Sequence, residues 1–116
     1  MDFVKQHRIR HIIAREFNAN PRKAMDTIIQ FTQDRPLHIS LDVDSLDPLY
    51  MPSTGTPVSN GLLLDDLLEL LRDLHQRPGC INSCADIMEY NPEIGTSREK
   101  KTSIETMRKC IDVFIS

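Results

Sequence analysis

Leu37-His38-Ile39-Ser40-Leu41-Asp42-Val43-Asp44-Ser45 is the stretch that decides the fold. Apolar side chains stand at 37, 39, 41 and 43 with polar ones between them, the period of two that a strand with one buried face requires. Upstream, Asn20-Pro21 reads as an N-cap followed by proline at the first helical position. Ala24, Ile28, Ile29 and Phe31 follow at helical spacing. A helix over residues 21–33 is therefore expected, ending near Asp34-Arg35-Pro36 because a residue before proline is pushed out of the α region. Earlier still, Arg8-Ile9-Arg10-His11-Ile12-Ile13-Ala14 could be a strand or a short helix, and its β-branched isoleucines favour the strand.

Downstream, Ser45 to Gly61 is irregular, broken by Pro48, Pro52, Pro57 and glycines. Structureless stretches of that length are uncommon in compact domains and are usually functional or disordered. Leu62-Leu63-Leu64-Asp65-Asp66-Leu67-Leu68-Glu69-Leu70-Leu71 opens an amphipathic helix that stops before Pro78-Gly79. Residues 80–88 read as a second strand, buried with its cysteines, and a last helix is expected over 98–114. Alternating strands and helices predict an α/β architecture with a mainly parallel sheet. In such sheets ligands bind beyond the carboxyl ends of the strands, where Asp42–Thr56 and Asp86–Asn91 both fall.

Composition narrows the function. With 116 residues the chain suits one small domain, and its net charge of −3 lacks the basic face that nucleic acid requires. Lys5, His7, Arg8 and Arg10 cluster but read as a solvated face. No apolar run approaches the ~20 residues of a membrane span, and the N-terminus has no long apolar signal region. No membrane partner is expected. The three cysteines, an odd number, fit reduced thiols inside a cell. Cys80 and Cys84 form only Cys-x-x-x-Cys, a weak zinc signal, and are expected to be buried structural thiols.

Asp42 and Asp44 carry the chemistry. On an extended strand they would share one side, about 6–7 Å apart along the backbone. Two carboxylates held there repel one another, and a divalent cation removes the conflict while gaining hard oxygen ligands. The tripeptide alone fits a solvated loop with N-capping aspartates equally well. His38 lies on the same expected face, yet ~13 Å of extended chain separates it from Asp42. It is read as a packed or hydrogen-bonded strand histidine, and His7, His11 and His75 as surface residues.

The wider surroundings add a resemblance. Ser40-Leu41-Asp42-Val43-Asp44-Ser45-Leu46-Asp47-Pro48 is followed by Ser53-Thr54-Gly55-Thr56-Pro57-Val58, then by Asp86-Ile87-Met88-Glu89-Tyr90-Asn91-Pro92. These three blocks, in this order, resemble the arginase family of ureohydrolases, which bind two manganese ions (Mn2+). The resemblance runs from residue 20 to residue 115 and implies an arginase-like three-layer α/β/α fold, of which the chain forms the C-terminal third. It implies conversion of L-arginine to L-ornithine and urea by a metal-bridging hydroxide attacking the guanidinium carbon. Asp42 would match the carboxylate bridging both metals and Asp44 the one binding a single metal. Thr56 would match a threonine near the substrate and Glu89 the glutamate that pairs with the guanidinium. The Met88-Glu89-Tyr90-Asn91-Pro92 stretch looks more like arginases than agmatinases, whose block usually has serine where Asn91 stands.

The departures count as well. The family's upstream blocks supply a metal-binding histidine, an Asp-x-His-x-Asp cluster and a proton-shuttling histidine. No Asp-x-His-x-Asp pattern precedes Asp42 here. Two carboxylates cannot fill two manganese ions that take about six ligands each. No catalytic residue is therefore placed in this chain, which alone is expected to be inactive. Asn60-Gly61 replaces the usual Gly-Gly, a mild change because Asn tolerates left-handed backbone angles. The resemblance also implies a trimer or hexamer at full length; family members occur in cytosol and mitochondria, and an intracellular, cytoplasmic location is expected ahead of a mitochondrial one. The alternatives are an agmatinase-type ureohydrolase or a shortened non-catalytic binding or oligomerisation module.

Overall fold

The alternation around Leu41 does become a strand, β1 (His38–Asp42), and it pairs in parallel with β2 (Cys84–Met88). The register sets His38 against Cys84, Ser40 against Asp86 and Asp42 against Met88. The computed structural model describes residues 2–55, 59–77 and 84–115. In chain order the helices are α1 (Asp2–Gln6), α2 (Ala14–Ala19), α3 (Pro21–Thr32), α4 (Leu64–Gln76) and α5 (Ser97–Ile115). Parallel strands joined through α4 give the expected α/β class.

One face of the sheet makes the core. Ile39, Leu41 and Ile87 pack with Val43, Leu46 and Met51 against Leu64, Leu67, Leu68 and Leu71 of α4, and Cys110 and Val113 of α5. The leucines of α4 recur every three or four residues, so one stripe meets this cluster. Leu70 and Leu74, on its neighbouring flank, meet Phe17, Ala24 and Met25. Each such leucine contributes roughly 1.5–3 kcal/mol by burial, which is why α4 ties the two clusters together. The opposite face of the sheet carries His38, Ser40 and Asp42 with Cys84 and Met88, all exposed.

The helix termini follow local rules. Asn20 caps α3, its side chain accepting from the Lys23 amide at 3.3 Å, with Pro21 in the first turn. Before α5, Thr96 and Glu99 form a capping box: the Thr96 amide donates to Glu99 Oε1 at 2.9 Å, and the Glu99 amide to Thr96 Oγ1 at 3.1 Å.

Three expectations fail. Residues 8–14 are not a strand: Arg8 adopts a left-handed φ of 54°, and the chain stays irregular until α2 begins at Ala14. Ile12 packs into the second cluster instead, while Ile9 and Ile13 stay exposed. Propensity favoured a strand, but a strand needs a paired neighbour, and among the described residues β1 pairs only with β2. Cys84 is exposed because it lies on the uncovered sheet face; Cys80 is outside the described residues. His75 is half-buried, edge-on to Phe114 at 5.9 Å between ring centroids.

Candidate metal centre

The carboxyl end of the sheet gathers the chemically interesting residues. Asp42 is the last residue of β1, and Val43–Ser45 tightens into a 3-10 turn closed by the Leu46 amide on the Val43 carbonyl at 3.2 Å. Asp44 therefore sits in this turn and not on the strand, so the strand's last residue presents one carboxylate and the turn presents the other. Strand periodicity overlooked the turn because Val43 is buried either way.

Asp42 stands at the N-cap position of that turn, yet its side chain makes no capping hydrogen bond. This removes the capping explanation for Asp42 and leaves an exposed carboxylate at the strand's end. Asp44 is half-buried and lines a groove of about 1080 Å³ together with Ser45, Asn60, Gly61 and Leu62. Arg10 and Arg35 also line the groove, their guanidinium carbons 5.5 and 5.6 Å from the centre of the Phe31 ring.

Glu89 follows directly after β2. Since Asp42 pairs with Met88, Glu89 emerges at the same end of the sheet as the aspartates. Its φ is +71°, a left-handed conformation costing roughly 1–2 kcal/mol in a residue with a Cβ. Such outliers are kept where surrounding structure over-determines them, often at functional sites. Glu89 lines a different cavity from Asp44, one shared with Tyr90, Met107 and Arg108. Thr56 lies outside the described residues.

The long segment after Asp44 is built by residues that the motif did not single out for roles. Asp47 Oδ1 accepts from the Leu49 amide at 3.0 Å and Oδ2 from the Asn60 amide at 3.2 Å, closing the loop on itself. Asp before Pro is a recognised turn signal, so Asp47 was within reach of local rules. Gly61 lets Leu46 and Leu62 bridge, the Leu62 amide donating to the Ser45 carbonyl at 2.8 Å. Asn60 takes a φ of 62°, the left-handed angle that Asn tolerates.

Ser53 then joins the loop to the third motif block. The Asn91 amide donates to the Ser53 carbonyl at 3.0 Å, and the Ser53 amide donates to Ser103 Oγ of α5 at 3.0 Å. The loop after the aspartate turn and the segment after Glu89 are thus joined at Ser53. Nothing in periodicity could have found Ser103, a small polar residue buried in the middle of a helix.

His38 is hydrogen-bonded as expected. Its Nε2 lies 2.7 Å from Asp86 Oδ2, and Ser40 Oγ donates to Asp86 Oδ1 at 2.7 Å. The Ser40 bond, and then the His38 bond, hold the Asp86 carboxyl below the usual carboxylate range.

Hard carboxylate oxygens suit manganese, and the uncapped Asp42 side chain offers one such group. The number of donors is short: among the described residues no three His, Cys, Asp or Glu side chains cluster to hold a metal. Asp42 and Asp44 fit as a partial donor set.

Comparison with known proteins gives a consistent picture. The sequence model described as "Arginase family" matches residues 1–114. A hepatic arginase from Aquarana catesbeiana is 39% identical over 88 residues, covering 72% of this chain and 27% of its own length. The crystal structure of Entamoeba histolytica arginase in complex with L-ornithine superposes with a TM-score of 0.76 at 28% identity, over 97% of this chain and 37% of that one. A hypothetical agmatinase from Burkholderia thailandensis superposes with a TM-score of 0.71 at 30% identity, over 88% of this chain and 31% of that one. This chain therefore spans well under half the length of each of these relatives.

Proposed function

The chain belongs to the arginase family of hydrolases, and from that premise we propose that it supplies part of a manganese site hydrolysing the guanidinium group of L-arginine to L-ornithine and urea. The observation that carries the reading is that an uncapped Asp42, the Asp44 turn and Glu89 all lie at the carboxyl end of the sheet. A family relative crystallised with L-ornithine supports this choice of product. The agmatinase neighbour keeps agmatine open as a second substrate.

Each residue has a defined task. Asp42 and Asp44 would help to hold the manganese, their paired negative charge suiting a dication. Bound manganese supplies Lewis acidity, which brings water within reach of deprotonation near neutral pH. Glu89 would accept paired hydrogen bonds from the planar guanidinium, the geometry a carboxylate matches best. Thr56 would contact the substrate. The remaining metal ligands come from outside this chain, which is the C-terminal third of the catalytic domain and inactive alone. In the complete enzyme, copies assemble as trimers or hexamers in the cytoplasm. Among the described residues no helix is long and apolar enough to cross a membrane.

The gene itself offers the test. An in-frame Asp-x-His-x-Asp block upstream of the Met1 codon is expected, and the longer product should release urea from L-arginine with manganese. Glu89→Gln in that product should raise KM and lower kcat together. A longer product that binds no manganese and releases no urea from L-arginine or agmatine would overturn the enzyme reading in favour of a non-catalytic module.

A further inference from the structure

The uncovered sheet face holds a second polar constellation, formed by Ser40, His38 and Asp86. It is not a nucleophilic triad. In a triad histidine stands between the hydroxyl and the carboxylate, whereas here both Ser40 and His38 bond to the carboxylate. Nor does the constellation form a metal cluster: among the described residues no three His, Cys, Asp or Glu side chains gather to hold one.

The register explains what the constellation does. A one-residue slip of β1 on β2 would turn the apolar face outward, and burial of Leu41 and Ile87 forbids it. A two-residue slip keeps every apolar residue on its own face, so the hydrophobic pattern does not exclude it. In one direction that slip sets Asp86 against Asp42, two like charges directly opposed. In the observed register Asp86 faces Ser40 and also reaches His38. Among the described residues β1 pairs with β2 alone, and the Asp86 carboxylate ties the two strands through Ser40 and His38.

We propose that Asp86 is a positioning residue, which locks β1 on β2 through Ser40 and His38 and so fixes where Asp42 and the Val43–Ser45 turn are presented. The proposal rests on the reading of Asp42 and Asp44 as manganese carboxylates. It adds a residue that touches neither metal nor substrate. Ser40 matters in the same way: with its hydroxyl committed to Asp86, it does not occupy the Asp42 carboxylate two residues along the same face. The lowered pKa of Asp86 is consistent with this, since the clamp favours the anion.

Amide hydrogen exchange by NMR on the full chain tests the clamp, with Asp86→Asn and the milder Ser40→Ala as variants. The Leu46 amide reports on the turn, the Cys84 amide (which donates to the Leu37 carbonyl) on the ladder, and the Leu71 amide of α4 on the whole fold. Losing a hydrogen bond to a charged group should speed exchange at Leu46 and Cys84 by about tenfold in Asp86→Asn, with Leu71 unchanged. Ser40→Ala should give a smaller change at the same two amides. Unchanged exchange at Leu46 and Cys84, or equal acceleration at Leu71, would overturn the proposal. Added manganese chloride separates the two readings. If the local response occurs while manganese broadens no signal near Asp42 even in the unsubstituted chain, the clamp stands and the manganese reading fails. If manganese broadens those signals equally with and without Asp86, the positioning role fails and the manganese reading stands.

Discussion

Replacing Gly61 by alanine should destabilise the chain by about 2–3 kcal/mol, because the new methyl group has nowhere to go. A Cβ built on Gly61 would lie 2.7 Å from the Asp47 nitrogen, the Leu46 carbonyl carbon and the Ser45 oxygen. All three are backbone atoms, so no side chain can swing aside. Reaching an ordinary contact of about 3.5 Å requires the Ser45–Asp47 segment to retreat by roughly 0.8 Å. That motion opens two hydrogen bonds, the Leu62 amide to Ser45 at 2.8 Å and the Asp47 amide to Leu62 at 3.0 Å. Stretched past about 3.5 Å they no longer count as bonds, and each is worth about 1 kcal/mol net. Some separation of the buried Leu46 from Leu62 adds the rest. Urea unfolding followed by circular dichroism reads the loss directly, with an unchanged m-value confirming that the two end states are comparable. Asn60→Gly is the control: glycine accepts the φ of 62° without strain, so stability should stay within about 0.5 kcal/mol. A Gly61→Ala loss below about 0.5 kcal/mol would refute the close approach.

Other positions give sharper contrasts. At Glu89, with its φ of +71°, Glu89→Gly should be neutral or stabilising by up to about 1 kcal/mol, while Glu89→Val should cost about 1–2 kcal/mol in urea unfolding. The same Glu89→Gly change in a longer, active product should abolish urea release. The depressed Asp86 pKa makes the unfolded chain take up its proton first as pH falls. Its contribution is present above the ordinary aspartate value of about 3.9 and is lost as pH falls through the lower folded value. Asp86→Asn should flatten that acid slope in urea midpoints measured between about pH 6 and pH 2; an unchanged slope would exclude Asp86 as its source. Burial pushes the Cys110 thiol up to about 11. Iodoacetamide at pH 8 should therefore modify the exposed Cys84 and spare Cys110 until urea unfolds the chain, as peptide mass spectrometry would show.

The parts of the fold written in short-range patterns were legible. The alternation at Leu37–Val43, the Asn20-Pro21 cap and the leucine stripe of α4 each depend on neighbours within a few residues, and each appears where it was expected. Residues 8–14 were not, because isoleucine propensity states a preference that only a paired strand can realise. Cys84 was misplaced for a related reason: apolar character does not say which sheet face will be covered. The candidate site divides the same way. Asp42 and Asp44 were visible as a pair, and the reading of Glu89 came from the motif block. The 3-10 turn at Asp44, the left-handed Glu89 and the Ser53–Ser103 tie depend on contacts across the chain that local pattern does not encode.

Manganese titration of the isolated chain, read as line broadening of backbone amides, tests the central claim most directly. Weak, selective broadening is expected at residues 42–46, lost in both Asp42→Asn and Asp44→Asn, with the α4 amides untouched. Broadening that survives both substitutions, or that centres on other carboxylates such as Asp65 and Asp66, would contradict the assignment of the metal site.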